Sequence, residues 1–454
     1  MKTIGLDIGT TTICAIVIDA SDGKVLRSVT LPNDTFLTDV KPFEKIQDPE
    51  KILSKAMTLV EELLGEFDDV ASIGVTGQMH GLMYINEKGE SLSGLYIWQD
   101  ASANEIYKDG KTYAQYLTEL TGYKMASGFG GSTYFYHTIN NMVPESATKI
   151  CTIHDYVAMK LASLNTPIMH TSDAASYGLF DIENSRFDEE AILKAGLKVD
   201  MFPEVTNENR ILGKKDGKIP VSVAIGDNQA SFLGSVCDVE ECLLVNVGTG
   251  SQISFATKSA VAPAGLEIRP CIGEDRIMVG SSLCGGRAFA LLEKFFRETA
   301  ELVTGEKCDS AYKGIDAFLE NTPGVENPVE FSTLFCGTRE NPEDRASIGN
   351  LGLDNFTPGH LVYGVMHGMA DELSGMYRNG ISVCKERPCQ LIASGNGIRK
   401  NKTLQRIVSD VFGMDLKIPK HKEEAAYGSA IFSLTSAGIC DTIQSALQLI
   451  QYES

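Results

Sequence analysis

Residues 6–12, Leu6-Asp7-Ile8-Gly9-Thr10-Thr11-Thr12, place a glycine–threonine turn inside an apolar run from Ile4 to Ile18. Residues 243–251, Leu243-Leu244-Val245-Asn246-Val247-Gly248-Thr249-Gly250-Ser251, repeat this pattern in a second apolar run that ends near Phe255. Each pattern predicts two strands joined by a tight turn that presents backbone N–H groups and hydroxyls to an anion. Two copies predict two similar halves that hold one polyphosphate from opposite sides.

The composition is typical of a globular protein with two domains. Of the 454 residues, 43% are hydrophobic and 22% are charged. A chain of this length is too long to fold around one ordinary hydrophobic core. The segment from Cys237 to Cys242 resembles a crossing between the halves, so we expect domains at 1–236 and 237–454. No apolar run is long enough to predict a membrane span, and no secretory signal is evident at the N-terminus.

The net charge of −20 argues against binding to nucleic acid or to an anionic membrane surface. A bound phosphate must therefore be held locally by backbone dipoles, a metal ion and a few cations. The 11 cysteines are scattered and odd in number, which is typical of reduced thiols in a cytoplasmic protein. The pairs Cys237/Cys242 and Cys384/Cys389 lack the spacing of a zinc site.

Capping residues predict several helices in the chain. Asp48 and Pro49 begin the first helix, and Thr357 and Pro358 begin a later one that we expect to run to about Tyr377. Further helices are predicted at 230–236, 286–303, 401–412, 423–438 and 441–452, and strands at 71–76, 221–225, 276–280 and 390–393.

Carboxylate, hydroxyl and glycine residues predict a site for phosphates. Asp7 precedes the first turn by two residues and suits a hydrated Mg²⁺ ion, while Thr11 and Thr12 can reach phosphate oxygens. Ser394-Gly395-Asn396-Gly397 lies between a strand and a helix, a placement that suits a nucleotide base or ribose. Plain hairpins and a glycine-requiring loop are the structural alternatives.

Gly226-Asp227-Asn228-Gln229 ends an apolar strand, at the edge where α/β sheets bind ligands. A carboxylate at this edge can accept the proton of an attacking hydroxyl. The alternative is that Asp227 caps the helix that follows.

A set of polar and aromatic residues suits a polyol, because each sugar hydroxyl both donates and accepts hydrogen bonds. Trp98 is the only tryptophan and is equally well explained as a core residue, and His154 as an interior histidine. The set comprises Gln78, His80, Trp98, Gln99, Asp100, His154 and Asp155.

Together, these motifs resemble the FGGY carbohydrate kinases, in the superfamily of actin-like, sugar-kinase and heat-shock-chaperone ATPases. The resemblance runs from Ile4 to about Ile439 and rests on the order and spacing of the motifs described above. Within the family, the segments 128–130, 152–156, 172–178 and 226–231 are most similar to sedoheptulokinases. Residues 77–81 are shared with xylulokinases, the near neighbours.

The resemblance implies an α/β fold of two RNase H-like domains with a cleft between them that binds ATP. It implies a sugar-binding, catalytic N-terminal domain and a nucleotide-binding C-terminal domain. Asp227 would be the catalytic base, and Asp7 and Asp227 would lie at Mg²⁺. Implied sugar contacts are Gln78, Met79, His80, Trp98, Asp100, His154, Asp155, Asn228 and Gln229. Implied nucleotide contacts are Thr10, Thr11, Thr12, Gly248, Thr249, Gly250, Gly395, Asn396, Gly397 and Asn401.

Two positions depart from the family pattern. Asn396 replaces a glycine common in the adenosine loop, and Ser102 stands where an arginine is usual. From the resemblance as a whole, we expect an ATP- and Mg²⁺-dependent kinase of a ketose. Sedoheptulose is the first candidate substrate, and xylulose or another sugar or polyol are the alternatives. A non-catalytic, ATP-dependent sugar sensor is the alternative from a different class. The partner is a small-molecule sugar, and the sequence leaves homodimer formation open.

Overall fold

A computed structural model describes residues 1–259, 261–338, 341, 343–385 and 387–453. The chain divides into two units. Unit 1 comprises Met1–Cys237, Arg269–Arg276 and Glu423–Gln451, and unit 2 comprises Asp238–Ile268, Ile277–Lys422 and Tyr452–Ser454. The units are thus interleaved along the chain. The domains expected from the sequence, 1–236 and 237–454, are each continuous.

Most helices lie close to the predicted positions. Asp48 caps the first helix by accepting hydrogen bonds from the backbone N–H groups of Glu50 and Lys51. The helices are α1 Pro49–Glu66, α2 Tyr113–Thr121, α3 Gly130–Ile139, α4 Ile153–Leu161, α5 Thr171–Ala174, α6 Glu189–Lys194, α7 Asp227–Leu233, α8 Gly286–Thr304, α9 Tyr312–Asn321, α10 Pro358–Ile381, α11 Asn396–Arg399, α12 Lys402–Phe412, α13 Glu424–Ser436 and α14 Ile443–Leu447. Short 3-10 helices span Ser102–Asn104, Ala175–Tyr177 and Val199–Met201.

Three predicted elements differ from the structure. The helix predicted at 230–236 begins at Asp227, because Gly226 is in an extended conformation and serves as its N-cap. The strand predicted at 221–225 is interrupted into Ile219–Ser222 and Ile225–Gly226. The last helix ends at Leu447 instead of continuing to 452.

Unit 1 is built on one mixed sheet. Its strands are β1 Lys2–Ile8, β2 Thr12–Asp19, β3 Val25–Pro32, β4 Val70–Gly77, β5 Ile211–Lys215, β6 Ile219–Ser222 and β7 Ile225–Gly226. Their order is β5–β6–β4–β1–β2–β3, with β7 paired to β4. β1 pairs antiparallel with β2, as the glycine–threonine turn predicts, and parallel with β4. A buried core that includes Ile4, Leu6 and Ile52 lies between this sheet and its helices.

Helix α13 joins unit 1 because glycines let it approach the sheet closely. A Cβ atom at Gly5 would lie 1.9 Å from the carbonyl oxygen of Ala426, and one at Gly74 would lie 1.8 Å from that of Ser429. No larger residue could occupy either strand position without moving the helix. This contact explains why a C-terminal segment belongs to the N-terminal unit.

Unit 2 repeats the central arrangement of the first sheet. Its strands are β8 Cys242–Val247, β9 Ser251–Thr257, β10 Leu266–Pro270, β11 Arg276–Ser282, β12 Gln390–Ser394 and β13 Leu416–Lys417, in the order β10–β11–β9–β8–β12–β13. β8 pairs antiparallel with β9 and parallel with β12, as β1 does with β2 and β4. A separate core that includes Leu243, Phe255 and Val365 supports this sheet.

Short strand pairs complete the described structure. They are Ile46–Gln47 with Leu95–Tyr96, Met83–Ile85 with Lys149–Cys151, Ile106–Lys108 with Lys111–Thr112, Ile168–His170 with Glu204–Thr206, Phe180–Asp181 with Arg186–Phe187, and Glu330–Ser332 with Ser347–Gly349. All 11 cysteines are free thiols, as predicted. Among the described residues, no helix is both long and apolar enough to cross a membrane.

Candidate active site

Three strands of unit 1 bring the predicted catalytic residues to one edge of the sheet. Gly77 at the end of β4 pairs with Ile8 of β1 and with Gly226 of β7. Asp7, Gln78 and Asp227 therefore follow or end neighbouring parallel strands. This is the edge at which α/β sheets bind ligands.

The pKa values of the Asp7 and Asp227 carboxyl groups are both raised toward neutral pH. Burial, followed by the negative charges of Asp227 and Glu423, raises the pKa of Asp7 to about 7. Burial also raises the pKa of Asp227 to about 6, while the positive charges of His154 and Arg269 oppose that rise. Asp227 is the first residue of α7, and its side chain does not cap the helix, so the capping alternative is wrong.

His154 and Asp155 were expected to contact a sugar, but both side chains are buried. His154 Nε2 lies 2.9 Å from Asp173 Oδ2, and the two side chains are fully buried. Burial opposes the charge on His154, but the carboxylate of Asp173 raises the pKa of the imidazole to about 9. Burial and Asp173 raise the pKa of Asp155. The His154–Asp173 ion pair is thus buried in unit 1, where the Asp173 carboxylate keeps the His154 imidazole in its charged form.

Two places in unit 1 offer side-chain atoms that could hold a metal ion. Within the described ranges, His154, Asp155 and Asp173 form the only group of three side chains whose ligand atoms lie close enough to hold an ion. Asp7 offers a different site, since its Oδ1 atom is buried and accepts no hydrogen bond from the described residues.

The tip of the first hairpin is held by side chains. Thr10 donates through Oγ1 to Gln78 Oε1 at 2.9 Å and accepts from Trp98 Nε1 at 3.0 Å. Gln47, which sequence reasoning missed, donates through Nε2 to the carbonyl of Thr10 and accepts from Gln78. Trp98 is 48% exposed, so it is not a core residue. The neighbouring side chains at positions 11 and 12 are exposed and available to a ligand.

His80, two residues after Gln78 in the chain, is held in a strained conformation. Its φ angle is 70°, a left-handed value that is uncommon for a residue with a side chain. Its backbone N–H donates to Ser176 Oγ, and its Nδ1 lies 2.8 Å from the Ser176 carbonyl oxygen. The ring stacks on Phe129 with centroids 4.8 Å apart. Met79 is buried next to Gly226 and therefore packs behind the turn that carries Asp227.

Asp100 is buried and its carboxylate is already engaged. One oxygen accepts hydrogen bonds from the backbone and hydroxyl of Ser102, and the other accepts from the backbone of Lys45. Burial raises the pKa of this carboxyl group. Ser102 thus serves to hold Asp100, in the place where the family pattern has an arginine. Gln99 is exposed.

The two residues after Asp227 have different surroundings. Asn228 Oδ1 accepts a hydrogen bond from Arg269 Nη1 at 3.2 Å. Gln229 is fully buried, and its Nε2 donates to the carbonyls of Ser172 and Pro270. Gln229 therefore holds segments together beneath the surface. Sequence reasoning missed Arg269, because it lies 41 residues from Asn228 in a strand without a recognisable motif.

Unit 2 contains a cavity of about 890 Å³ next to its glycine–threonine turn. It gathers most of the predicted nucleotide residues, together with others that sequence reasoning missed. Predicted lining residues are Gly248, Thr249, Gly395, Asn396, Gly397 and Asn401, and the additional ones include Gly286, Arg287, Tyr312 and Asp316. Asn401 also caps α12 by accepting from the backbone of Leu404 at 2.9 Å.

Backbone contacts shape this cavity. Gly395 has a φ angle of 90°, and a Cβ atom there would lie 2.6 Å from the carbonyl oxygen of Val247. The N–H of Gly248 donates to the carbonyl of Gly250 within the turn. The first N–H groups of α8, from Gly286 and Arg287, donate to the carbonyls of the turn. Backbone thus approaches the cavity closely, which suits a phosphate chain.

Comparison with protein families agrees with this geometry. The N-terminal domain of the FGGY family of carbohydrate kinases matches residues 2–234, and its C-terminal domain matches residues 243–437. The chain belongs to the FGGY family of carbohydrate kinases, and it is an ATP-dependent sugar kinase.

Curated relatives support the same assignment, and solved structures share the fold. Sedoheptulokinase of Mus musculus is 24% identical over 477 residues, which cover 95% of this chain and 97% of that protein. Xylulose kinase of Staphylococcus xylosus is 22% identical over 459 residues, covering 95% and 90%. The crystal structure of gluconate kinase from Lactobacillus acidophilus superposes with a TM-score of 0.84 at 18% identity, covering 100% of this chain and 92% of that one. The expected α/β fold of two domains, shared with solved kinase structures, is confirmed.

Proposed function

We propose that this kinase transfers the γ-phosphoryl group of ATP to the terminal hydroxyl of a ketose, with sedoheptulose as the first candidate and Asp227 as general base. The observation that carries the proposal is the pair of half-buried carboxyl groups with raised pKa values, Asp7 and Asp227, at the ends of the two strands that flank β4 in unit 1. A structural pair without a ligand would leave two mutually repelling, half-buried acids at a cost in stability.

Asp227 has the acidity that a base for this reaction needs. Its pKa of about 6 leaves it ionised at neutral pH, yet basic enough to accept a proton from an alcohol as that alcohol attacks. In the reaction, the sugar O–H bond breaks and an O–P bond forms. The bond from the γ-phosphorus to the bridging oxygen breaks, ADP leaves and the proton passes to Asp227. General-base assistance of this kind contributes about 10²–10⁴ in rate.

The residues present fit a magnesium ion. Asp7 Oδ1 is a buried carboxylate oxygen without a hydrogen-bond partner among the described residues, and Mg²⁺ prefers one or two carboxylates together with phosphates. Asp7, together with Asp227, would hold the ion. When bound, Mg²⁺ supplies positive charge that offsets the charge of the phosphates.

The nucleotide and the sugar are proposed to use different residues. The glycine turn and cavity of unit 2 would hold the phosphates and adenosine, because the glycine backbone at Gly248, Gly395 and Gly397 lines the cavity and lets a ligand approach closely. In unit 1, the partly exposed groups His80, Trp98 and Asn228 are the proposed sugar contacts, and Thr10, Thr11 and Thr12 the proposed phosphate contacts. Five further residues of the predicted sugar set are buried, so they would support the sugar site from beneath it. They are Gln78, Asp100, His154, Asp155 and Gln229.

The proposed sugar rests on the relatives, of which sedoheptulokinase and xylulose kinase act on ketoses by their names. A coupled assay of ADP release with purified protein, MgATP and a panel of sedoheptulose, D-xylulose, D-ribulose, gluconate and glycerol tests this choice. We expect sedoheptulose to give the highest kcat/KM, with D-xylulose second.

The same assay tests the proposed activity itself. Release of ADP should require the sugar, and the product should carry one phosphate on a terminal oxygen. ATP consumption that no sugar stimulates would contradict the proposal and favour the sensor. Homodimer formation stays open, and cytoplasmic location stays a prediction from the sequence.

A further inference from the structure

One motif of the sequence has no part in the proposed reaction. Residues 171–177 form the one-turn helix α5 and a 3-10 turn, and the side chains of Ser172, Asp173 and Ser176 are buried there. Buried hydroxyl and carboxyl groups must be hydrogen-bonded to be tolerated, so their partners show what this segment holds in place.

Ser172 contacts the turn that carries Asp227 at two points. Its Oγ accepts a hydrogen bond from the backbone N–H of Gly226 at 3.1 Å. Its carbonyl accepts from Gln229 Nε2 at 3.0 Å. The residues on both sides of the proposed base are therefore bonded to one serine.

His170 determines which way the hydroxyl of Ser172 points. Burial lowers the pKa of His170 to about 4, so its imidazole is neutral. His170 Nδ1 accepts from the backbone N–H of Ser172 and lies 2.8 Å from Ser172 Oγ. Since Nδ1 is an acceptor, the hydroxyl of Ser172 donates to it, and an oxygen lone pair remains for the N–H of Gly226.

Ser176 contacts His80 in an equivalent manner. Its Oγ accepts from the N–H of His80 at 3.0 Å, and its carbonyl lies 2.8 Å from His80 Nδ1. A carbonyl only accepts, so Nδ1 carries a proton. Ser176 therefore stabilises the left-handed backbone of His80 and also determines the orientation of its ring.

Asp173 anchors the segment that carries both serines. It forms the buried ion pair with His154 and accepts a hydrogen bond from Ser176 Oγ at 3.2 Å. His154 in turn packs against β4, since a Cβ atom at Gly77 would lie 3.1 Å from the Cβ atom of His154. The segment is thus attached to the strand end that lies between Asp7 and Asp227 in the sheet.

We propose that Ser172 and Ser176 are positioning residues for the kinase reaction, with Ser172 orienting the turn of Asp227 and Ser176 orienting His80. The proposal rests on the proposed function. It predicts that two serines four residues apart affect different kinetic constants, because one acts through the base and the other through a sugar contact.

The experiment compares Ser172→Ala and Ser176→Ala with Asp227→Asn in the full-length chain. The matched control is Ser433→Ala. Ser433 is an equally buried serine of unit 1 that bonds to Thr3 and Ser72 at the opposite end of β1 and β4. Steady-state kinetics with sedoheptulose, D-xylulose and MgATP give kcat and both KM values, and thermal unfolding reports on folding.

We expect Ser172→Ala to lower kcat by roughly 10- to 100-fold with little change in either KM, since small misplacement of a reacting group is costly. Ser176→Ala should raise the KM for the ketose by roughly three- to tenfold, as expected for one weakened hydrogen bond, with a smaller change in kcat. Ser176→Thr, which keeps the hydroxyl, should recover most of the affinity. Ser433→Ala should lose only stability.

Equal kinetics for Ser172→Ala and Ser433→Ala would overturn the proposal. So would a common loss of kcat in both site variants that follows their loss of stability. Where Ser172→Ala does not fold, Ser172→Thr, which keeps the oxygen acceptor, must restore both folding and kcat. Full activity of Asp227→Asn would refute the base and not the role of Ser176, and an inactive wild type with every sugar would refute both proposals.

Discussion

The two glycine–threonine hairpins have the same strand pairing but different chemistry. Asp7-Ile8-Gly9-Thr10 in unit 1 corresponds to Asn246-Val247-Gly248-Thr249 in unit 2, and each precedes the second strand of its hairpin. Asp7 is an acid with a raised pKa and an unpaired oxygen, whereas Asn246 is neutral and donates to Ser394 Oγ at 2.8 Å.

The tips also differ in what holds them. Thr10 is held by the side chains of Gln47, Gln78 and Trp98, whereas the turn of unit 2 is held by backbone groups of its own and of α8. Side chains provide charge and selectivity, and backbone provides a close approach to phosphate. One turn architecture thus suits two tasks, for which we propose metal and acceptor chemistry in unit 1 and nucleotide binding in unit 2.

Substitution of Asp7 and of its counterpart Asn246 should lower kcat by very different factors. We expect Asp7→Asn to lower kcat by roughly 10²-fold or more, because a magnesium ligand contributes several kcal/mol to the transition state. The matched variant Asn246→Ala should change kcat by less than about tenfold, since it removes one neutral hydrogen bond. ADP release measured over a range of Mg²⁺ concentrations checks both. Equal losses would contradict the division of tasks.

Within unit 2, we expect substitution of Gly395, which follows strand β12, to have the largest effect on stability and on ATP binding. Gly395→Ala places a Cβ atom near Val247 on a backbone with positive φ, so we expect a cost of about 1–3 kcal/mol and a higher KM for ATP. Gly314→Ala, in α9 with no atom within 4 Å of the added Cβ, should stabilise the chain slightly. Thermal unfolding and ATP titrations check this pair, and similar behaviour of both variants would count against the role of Gly395.

The pH dependence should report on the charges of unit 1. Asp227 must be ionised to act as a base, and its pKa is raised from 3.8 to about 6, so kcat/KM should fall as the pH drops below about 6. His154 is charged at neutral pH and lowers the pKa of Asp227.

Removing that positive charge tests the connection. His154→Gln should therefore shift the acidic limb of the kcat/KM profile to higher pH. The measurement is a profile from pH 5 to 8 for both proteins under the same ionic strength. An unmoved or lowered limb would show that His154 does not act on the base.

The smallest effect should come from the tip of the first hairpin. Trp98→Phe removes the hydrogen bond to Thr10 but keeps an aromatic ring, so we expect a change of less than about tenfold in the KM for the ketose. Since Trp98 is the only tryptophan, its fluorescence should also change when a ketose binds the wild type. An emission spectrum that saturating ketose leaves unaltered would argue against a sugar contact at Trp98.

Local patterns in the sequence predicted the hairpins, the capped helices and the strand end of Asp227, because each depends on residues close together along the chain. They did not predict that α13 belongs to unit 1, since this depends on Gly5 and Gly74, which are more than 350 residues from their partners. The roles of Arg269 and Gln47 were missed for the same reason.

Polar residues near a strand end were harder to interpret. His154 and Gln229 were predicted as sugar contacts, yet both are buried and hold other segments. A polar residue next to a site has the same sequence whether its side chain faces the ligand or the interior. The conformation of the surrounding segments, above all of residues 171–177, decides between the two.

The central claim is that Asp227 accepts the proton of the attacking hydroxyl, and Asp227→Asn tests it most directly. Because the raised pKa makes the Asp227 carboxylate unfavourable to the folded state above pH 6, the variant should be at least as stable as wild type at pH 8. With MgATP and sedoheptulose, we expect its rate of sugar phosphate formation to fall by about 10²–10⁴. A folded variant that forms the product at the wild-type rate would contradict the account.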